Sequence, residues 1–199
     1  MKFSTLAPAF VLCLAAGATA LAEQADRLKP MQVEADKMQH DENRQLTVLT
    51  GNVQAVKGTL VMRAARMEVQ QDSKGQQVAR LWAEPGQRVF FRQKREGLDE
   101  FVEGEAVQAV YDGRQDLMTL TDRAEMRTLR EGRVADQIQG QRIVYNNSTE
   151  VMNVDGKVQG SDTRQRVRAV LAPKAAASAP SAPVPSLQSS PDLRQGGRP

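Results

Sequence analysis

Between residues 31 and 171 no stretch of this chain carries apolar side chains at helical spacing; its apolar positions alternate instead. The clearest example runs from Leu49 to Ala64. Val53 and Ala55, then Leu60, Met62 and Ala64, put apolar side chains on every second position, as in a sheet with one buried face. Thr50-Gly51-Asn52 and Lys57-Gly58-Thr59 punctuate it, because glycine reaches positive φ without a Cβ clash. The pattern predicts strand, turn, strand, turn, strand.

The same idea recurs along the chain. Met31-Gln32-Val33-Glu34-Ala35-Asp36 alternates cleanly, and His40 to Arg44 reads as a polar turn before the strand Leu46–Leu49. The alternation shifts phase at Ala64-Ala65, which predicts a bulge or corner. Further strands are expected at Val78–Ala83, Arg88–Gln93, Val102–Tyr111, Asp116–Thr121, Ala124–Leu129, Ile138–Tyr145 and Val151–Val154, with a last short one at Val167–Leu171. Glu84-Pro85-Gly86-Gln87, Asp112-Gly113, Glu131-Gly132-Arg133, Asn146-Asn147 and Asp155-Gly156 are turn signals between them. Asp122-Arg123 stands where the first stretch has Gly51-Asn52, and Gly140–Tyr145 restates Gly104–Tyr111. Many short strands at short spacing indicate an all-β sandwich, barrel or coil-like stack.

The two ends are read differently. Met1-Lys2, the apolar run Leu6–Ala18 and the small residues around Ala20 and Ala22 have the order of a secretory signal peptide, residues 1–22, with cleavage expected after Ala20 or Ala22. The single cysteine, Cys13, lies in that segment, which leaves a mature chain without disulfides or thiol chemistry. From Ala172 the composition turns to Ala, Pro and Ser without periodicity, and residues 172–199 are read as a disordered tail. Residues 23–171 form the expected domain. Lys2, Lys174, Arg194, Arg198 and Asp192 lie outside it and account for the formal charge of +3, so the domain is neutral. A nucleic-acid partner needs a basic excess on the folded domain and finds none.

Catalytic constellations are not legible. The single histidine, His40, reads as a solvated turn residue. One histidine and no mature cysteine exclude a typical zinc site, and no glycine-rich phosphate loop opens a helix. Glu103 and Glu105 share a strand face and could form an acid/base pair, against which stands the commoner reading of solvated carboxylates. No enzyme, cofactor or metal is expected.

Thr50-Gly51-Asn52-Val53 with Lys57-Gly58 and Ala64, preceded by Val33-Glu34-Ala35-Asp36, resembles the OstA-like N-terminal family of periplasmic lipopolysaccharide-transport bridge proteins. Glu84-Pro85-Gly86-Gln87-Arg88-Val89-Phe90-Phe91, Glu103-Gly104-Glu105-Ala106 ending at Tyr111, and Gln139-Gly140-Gln141 ending at Tyr145 continue the likeness, in order, over residues 31–160. Asp122-Arg123 departs from the family's Gly-Asn at the second turn. The resemblance implies an open, V-shaped β-jellyroll of antiparallel strands in the periplasm. Its apolar interior would hold lipopolysaccharide acyl chains, with Met31, Val33, Leu60, Met62, Phe91, Tyr111 and Ile143 lining it. It also implies head-to-tail homo-oligomers, and joints to inner-membrane and outer-membrane transport proteins through the end strands. Met31–Asp36 would serve at one end, Val151–Val158 with Val167–Leu171 at the other. The alternative is a closed β-fold of the envelope whose same residues are a dry core.

Overall fold

The computed structural model describes residues 29–95, 98–157 and 164–173. The expected signal peptide, most of the lead-in, residues 158–160 of the last expected hairpin and the tail from residue 174 lie outside the described residues.

Twelve strands follow one another: β1 Gln32–Glu34, β2 Lys37–Asp41, β3 Leu46–Lys57, β4 Leu60–Gln71, β5 Gln77–Trp82, β6 Val89–Lys94, β7 Glu100–Ala106, β8 Gln108–Asp112, β9 Leu117–Arg130, β10 Arg133–Asn146, β11 Val151–Asp155 and β12 Arg168–Leu171. All neighbours are antiparallel. The long strands β3, β4, β9 and β10 each contribute one half to each of two layers. Layer A runs β2-β3-β4-β5-β8-β9-β10-β11. Layer B runs β1-β3-β4-β6-β7-β9-β10-β12. Neither layer closes on itself, so the molecule is an open antiparallel β-jellyroll and not a closed barrel.

The bend between layers is built from residues that favour positive φ. Gly51 and Asn52 stand at φ 79° and 46°, and the β3–β4 register slips between Thr50 and Val53. The expected turn at Thr50-Gly51-Asn52 is therefore a bulge inside one continuous strand. An alternation pattern cannot separate the two, since both need the same backbone conformation and both interrupt the phase. The phase shift on β4 is real: buried positions pass from Leu60 and Met62 to Met67 and Val69. The extra residue itself lies on β3. Asp122 and Arg123, at φ 63° and 52°, repeat this bulge on β9 opposite Gly140–Arg142. The substitution of Gly-Asn leaves the geometry intact.

Three further expectations are corrected. Met31–Asp36 is not one strand: β1 stops at Glu34 and the chain turns into β2, where His40 and Asp41 lie in a strand rather than a turn. Asp36 makes that corner, its N–H donating to the Gly51 carbonyl at 3.0 Å and its carboxylate accepting from Asn52 Nδ2 at 2.9 Å. β2 is an edge strand with exposed residues on both faces, so it leaves no alternation to read. Val102–Tyr111 is also broken, at Val107. There the chain crosses from layer B to layer A, with the Val107 N–H donating to the Asp122 carbonyl and its own carbonyl accepting from Ala83 N–H. By contrast Glu131-Gly132 is a true two-residue hairpin turn, both residues at positive φ.

The core lies between the layers. Leu49, Met67, Leu81, Leu120 and Ile143 face in from layer A, and Val53, Leu60, Met62, Phe91 and Met126 from layer B. Gly104 sets their spacing: a Cβ there would fall 2.1 Å from Phe91 Cε1 and 2.8 Å from Leu120 Cδ1. The bare strand leaves room for the Phe91 ring, whose Cε1 and Cδ1 occupy the space a side chain there would fill.

Candidate functional site

The interior between the layers is the principal apolar feature of the fold. Leu60, Met62, Phe91, Tyr111 and Ile143 all sit there, each 3% exposed or less. The expected lipid-lining residues are thus brought together, and as described they pack against one another. Met31 and Val33 are half-buried against the same core at its N-terminal mouth. Together with His40, Gln45, Thr47, Val69, Gln71 and Gln77 they line a small cavity of about 120 Å³.

The layers meet again on the side opposite the bends, where the hairpin turns of each layer face those of the other. Arg95, at the end of β6 in layer B, clasps Glu150, in the β10–β11 turn of layer A. Arg95 Nε donates to Glu150 Oε1 at 3.1 Å, and a second guanidinium nitrogen reaches the other carboxylate oxygen. The hydrogen bond to Glu150 holds the guanidinium pKa above its ordinary value. Behind this clasp the buried Asp116 carboxylate accepts from Asn147 Nδ2 at 3.0 Å and Ser148 Oγ at 3.2 Å, fixing the turn that carries Glu150. Nearby, burial pushes the Tyr145 phenol up to about 12. Sequence reasoning missed this seam. Arg95 and Glu150 are 55 positions apart and each looks like an ordinary polar-loop residue.

The carboxylates singled out in the sequence are occupied. Glu103 pairs with Arg92 at 3.0 Å, and Glu105 accepts from Arg127 at 2.9 Å and also pairs with Arg88. They belong to a ladder of ion pairs on the outer face of layer B, continued by Arg88–Glu125 and Arg130–Glu100. Arg63 lies over Phe90 and Arg92 over Phe101 on the same face, at 4.4 and 4.0 Å from the ring centres. His40 binds Thr47 Oγ1 at 3.0 Å and Glu42 Oε2 at 2.9 Å on the exposed edge. Among the described residues no group of three or more His, Cys, Asp or Glu could hold a metal ion.

An antiparallel two-layer jellyroll with an apolar interior and, among the described residues, edge strands paired on one side only at both ends has an architecture suited to a carrier or assembly protein. The comparisons with known proteins specify which. Residues 32–151 match the model of the LptA/(LptD N-terminal domain) LPS transport protein family. The lipopolysaccharide export system protein LptA of Escherichia coli is 30% identical over 181 residues, covering 87% of this chain and 90% of the relative. LptH of Pseudomonas aeruginosa, another lipopolysaccharide export system protein, is 27% identical over 179 residues, covering 87% of this chain and 98% of the relative. The crystal structure of LptH, described as a periplasmic component of the lipopolysaccharide transport device, superposes with a TM-score of 0.65 at 24% identity over 75% of this chain and 99% of that one. The chain belongs to the LptA/LptD N-terminal family and is a non-enzymatic lipopolysaccharide transport protein.

Proposed function

We propose that this chain carries lipopolysaccharide through the periplasm with the acyl chains held between its two layers, and that its edge strands join it to further copies and to the inner- and outer-membrane parts of the transport machine. The carrying observation is a continuous apolar interior together with end strands that, among the described residues, are paired on one side only. β1 and β2 are the N-terminal edges of the two layers, and β12 and β11 the C-terminal ones. Met38 on β2, Val151 on β11, and Val170 and Leu171 on β12 are exposed apolar side chains at these edges. An unpaired strand is a template for another chain, and here it becomes a joint by β-augmentation.

Each acyl methylene gains ~0.8 kcal/mol on leaving water, so a shielded interior replaces a costly aqueous crossing. Met31 and Val33 would receive the chain at the mouth, and Leu60, Met62, Phe91, Tyr111 and Ile143 deeper in. The deeper residues are packed together, so the layers part at the Arg95–Glu150 seam when cargo enters. Arrival in the periplasm follows removal of residues 1–22, and the intact mass of the exported protein, with or without Cys13, checks it.

The test of the cargo reading is a photo-crosslinking residue at Met62 or Phe91, with Arg63 and Arg92 as outward controls. Lipopolysaccharide adducts form at the inward pair. Adducts confined to the outward pair overturn the assignment. For the joints, replacing Val170 and Leu171 by lysine shifts concentration-dependent oligomers towards monomer in light scattering; an unchanged distribution removes β12 from the joint.

A further inference from the structure

The bulge on β3 and the bulge on β9 are equivalent, and so are the strands opposite them. Thr50 pairs Arg66 and Val53 pairs Ala64; Thr121 pairs Arg142 and Ala124 pairs Gly140. The inner stretch Ala65, Met67, Val69 of β4 therefore corresponds to Gln141, Ile143, Tyr145 of β10. Met67 and Ile143 are alike, both fully buried and apolar. The other two positions differ. Where β4 has a methyl and an isopropyl group, β10 has an amide and a phenol. Both are more than nine-tenths buried, at 8% and 3% exposure. Gln141 Oε1 and the Tyr145 hydroxyl are also the buried side-chain polar atoms without a hydrogen-bond partner among the described residues.

An unpartnered buried polar atom costs about 1–3 kcal/mol. The fold does not require it here, because the same corner and strand are built on β4 from apolar residues. From the cargo reading above, we propose that Gln141 and Tyr145 form a polar subsite for the part of a lipid where acyl chains meet the head group, selecting chains that carry a hydroxyl or an amide N–H. The two residues lie four positions apart on one strand, about 13 Å along β10, with Ile143 between them. Gln141 Oε1 is an acceptor and needs a donor from the ligand. The phenol stays protonated and donates to a carbonyl or hydroxyl oxygen. A lipid with more than one amide-linked 3-hydroxyacyl chain offers both, one chain supplying a donor to Gln141 and another an oxygen to Tyr145. An ester-linked glycerophospholipid chain offers carbonyl oxygens alone and would leave Gln141 unsatisfied. A site built on hydrogen bonds rejects an analogue without the matching group more strongly than an apolar wall rejects a missing methylene.

The experiment compares the parent chain with Gln141→Ala, the side chain found at the equivalent position on β4, and Tyr145→Phe, which removes the hydroxyl alone. Each is mixed in detergent with lipid A bearing amide-linked 3-hydroxyacyl chains and, in competition, with dioleoyl phosphatidic acid, and bound lipid is read by native mass spectrometry. The parent prefers lipid A. Gln141→Ala lowers that preference about fivefold, the size of one neutral hydrogen bond, while phosphatidic acid binding is unchanged. Tyr145→Phe, whose lost hydroxyl serves oxygens that both lipids carry, weakens both about fivefold and leaves the preference as it was. The melting temperature stays level or rises in each. An unchanged preference in Gln141→Ala overturns the subsite and leaves the cargo reading standing. So does a fall in melting temperature with equal loss of both lipids, which would mark the two groups as structural through internal water. A parent chain that retains neither lipid overturns the cargo reading and the subsite together.

Discussion

Gly51 shows how much one residue carries. Its φ of 79° is a conformation other residues reach at a cost of about 1–2 kcal/mol, and a Cβ there would fall 2.3 Å from Asp36 Oδ2. Both effects act on the corner that joins β1, β2 and β3. Gly51→Ala is expected to destabilise the protein by about 1–3 kcal/mol, read as a lower urea midpoint at constant slope. Tyr145 gives a second expectation at this scale. Burial raises its pKa to about 12 from the ordinary 10.0, so the folded state keeps a proton that the unfolded chain loses first. Its contribution is fully present below pH 10 and is lost as pH rises through the folded value. Stability should fall by about 2 kcal/mol between pH 10 and pH 12, and Tyr145→Phe should flatten that slope in urea titrations across the range. An identical slope in the variant would show that other groups cause the loss.

Among the elements, the strands that bury one face were legible from alternation: β4, β6 and the second half of β10 stand where the sequence reading placed them, while β3 and β9 were each read as two strands parted by a turn. β2 was not legible, because both its faces meet water and no apolar phase marks it. The break at Val107 was not legible either, since a chain can leave one layer for the other without a turn residue. The seam between β6 and the β10–β11 turn belongs to the same class of feature. Reversing one charge there tests whether it holds the layers together. Glu150→Arg, facing Arg95, should loosen the seam by about 1 kcal/mol and speed maleimide labelling of a cysteine placed at buried Ile143 about fivefold. Arg92→Gln, which breaks a pair within layer B, should leave that rate unchanged. Equal rates in the parent and in Glu150→Arg would mean that the layers open elsewhere.

For the whole molecule, the sharing of β3, β4, β9 and β10 between layers has a thermodynamic consequence. Neither layer can unfold and leave the other with its strands intact. Trp82 fluorescence, reporting layer A, and amide exchange of β6 and β7, reporting layer B, should therefore be lost at one denaturant concentration. Separate transitions would show two independently stable halves. The sequence by itself determined the class of fold, the order of nearly all strands, the glycine and Gly-like positions of the bends, and the set of apolar residues that meet inside. Alternation is a local property, and burial of one face imposes it residue by residue. Only the tertiary structure decided that Gly51-Asn52 and Asp122-Arg123 bend continuous strands instead of ending them, that Arg95 reaches Glu150 across the seam, and that Gln141 and Tyr145 stand where β4 is wholly apolar. Those facts depend on which distant strands lie opposite one another. Register between segments far apart in the chain leaves no periodic mark on either of them.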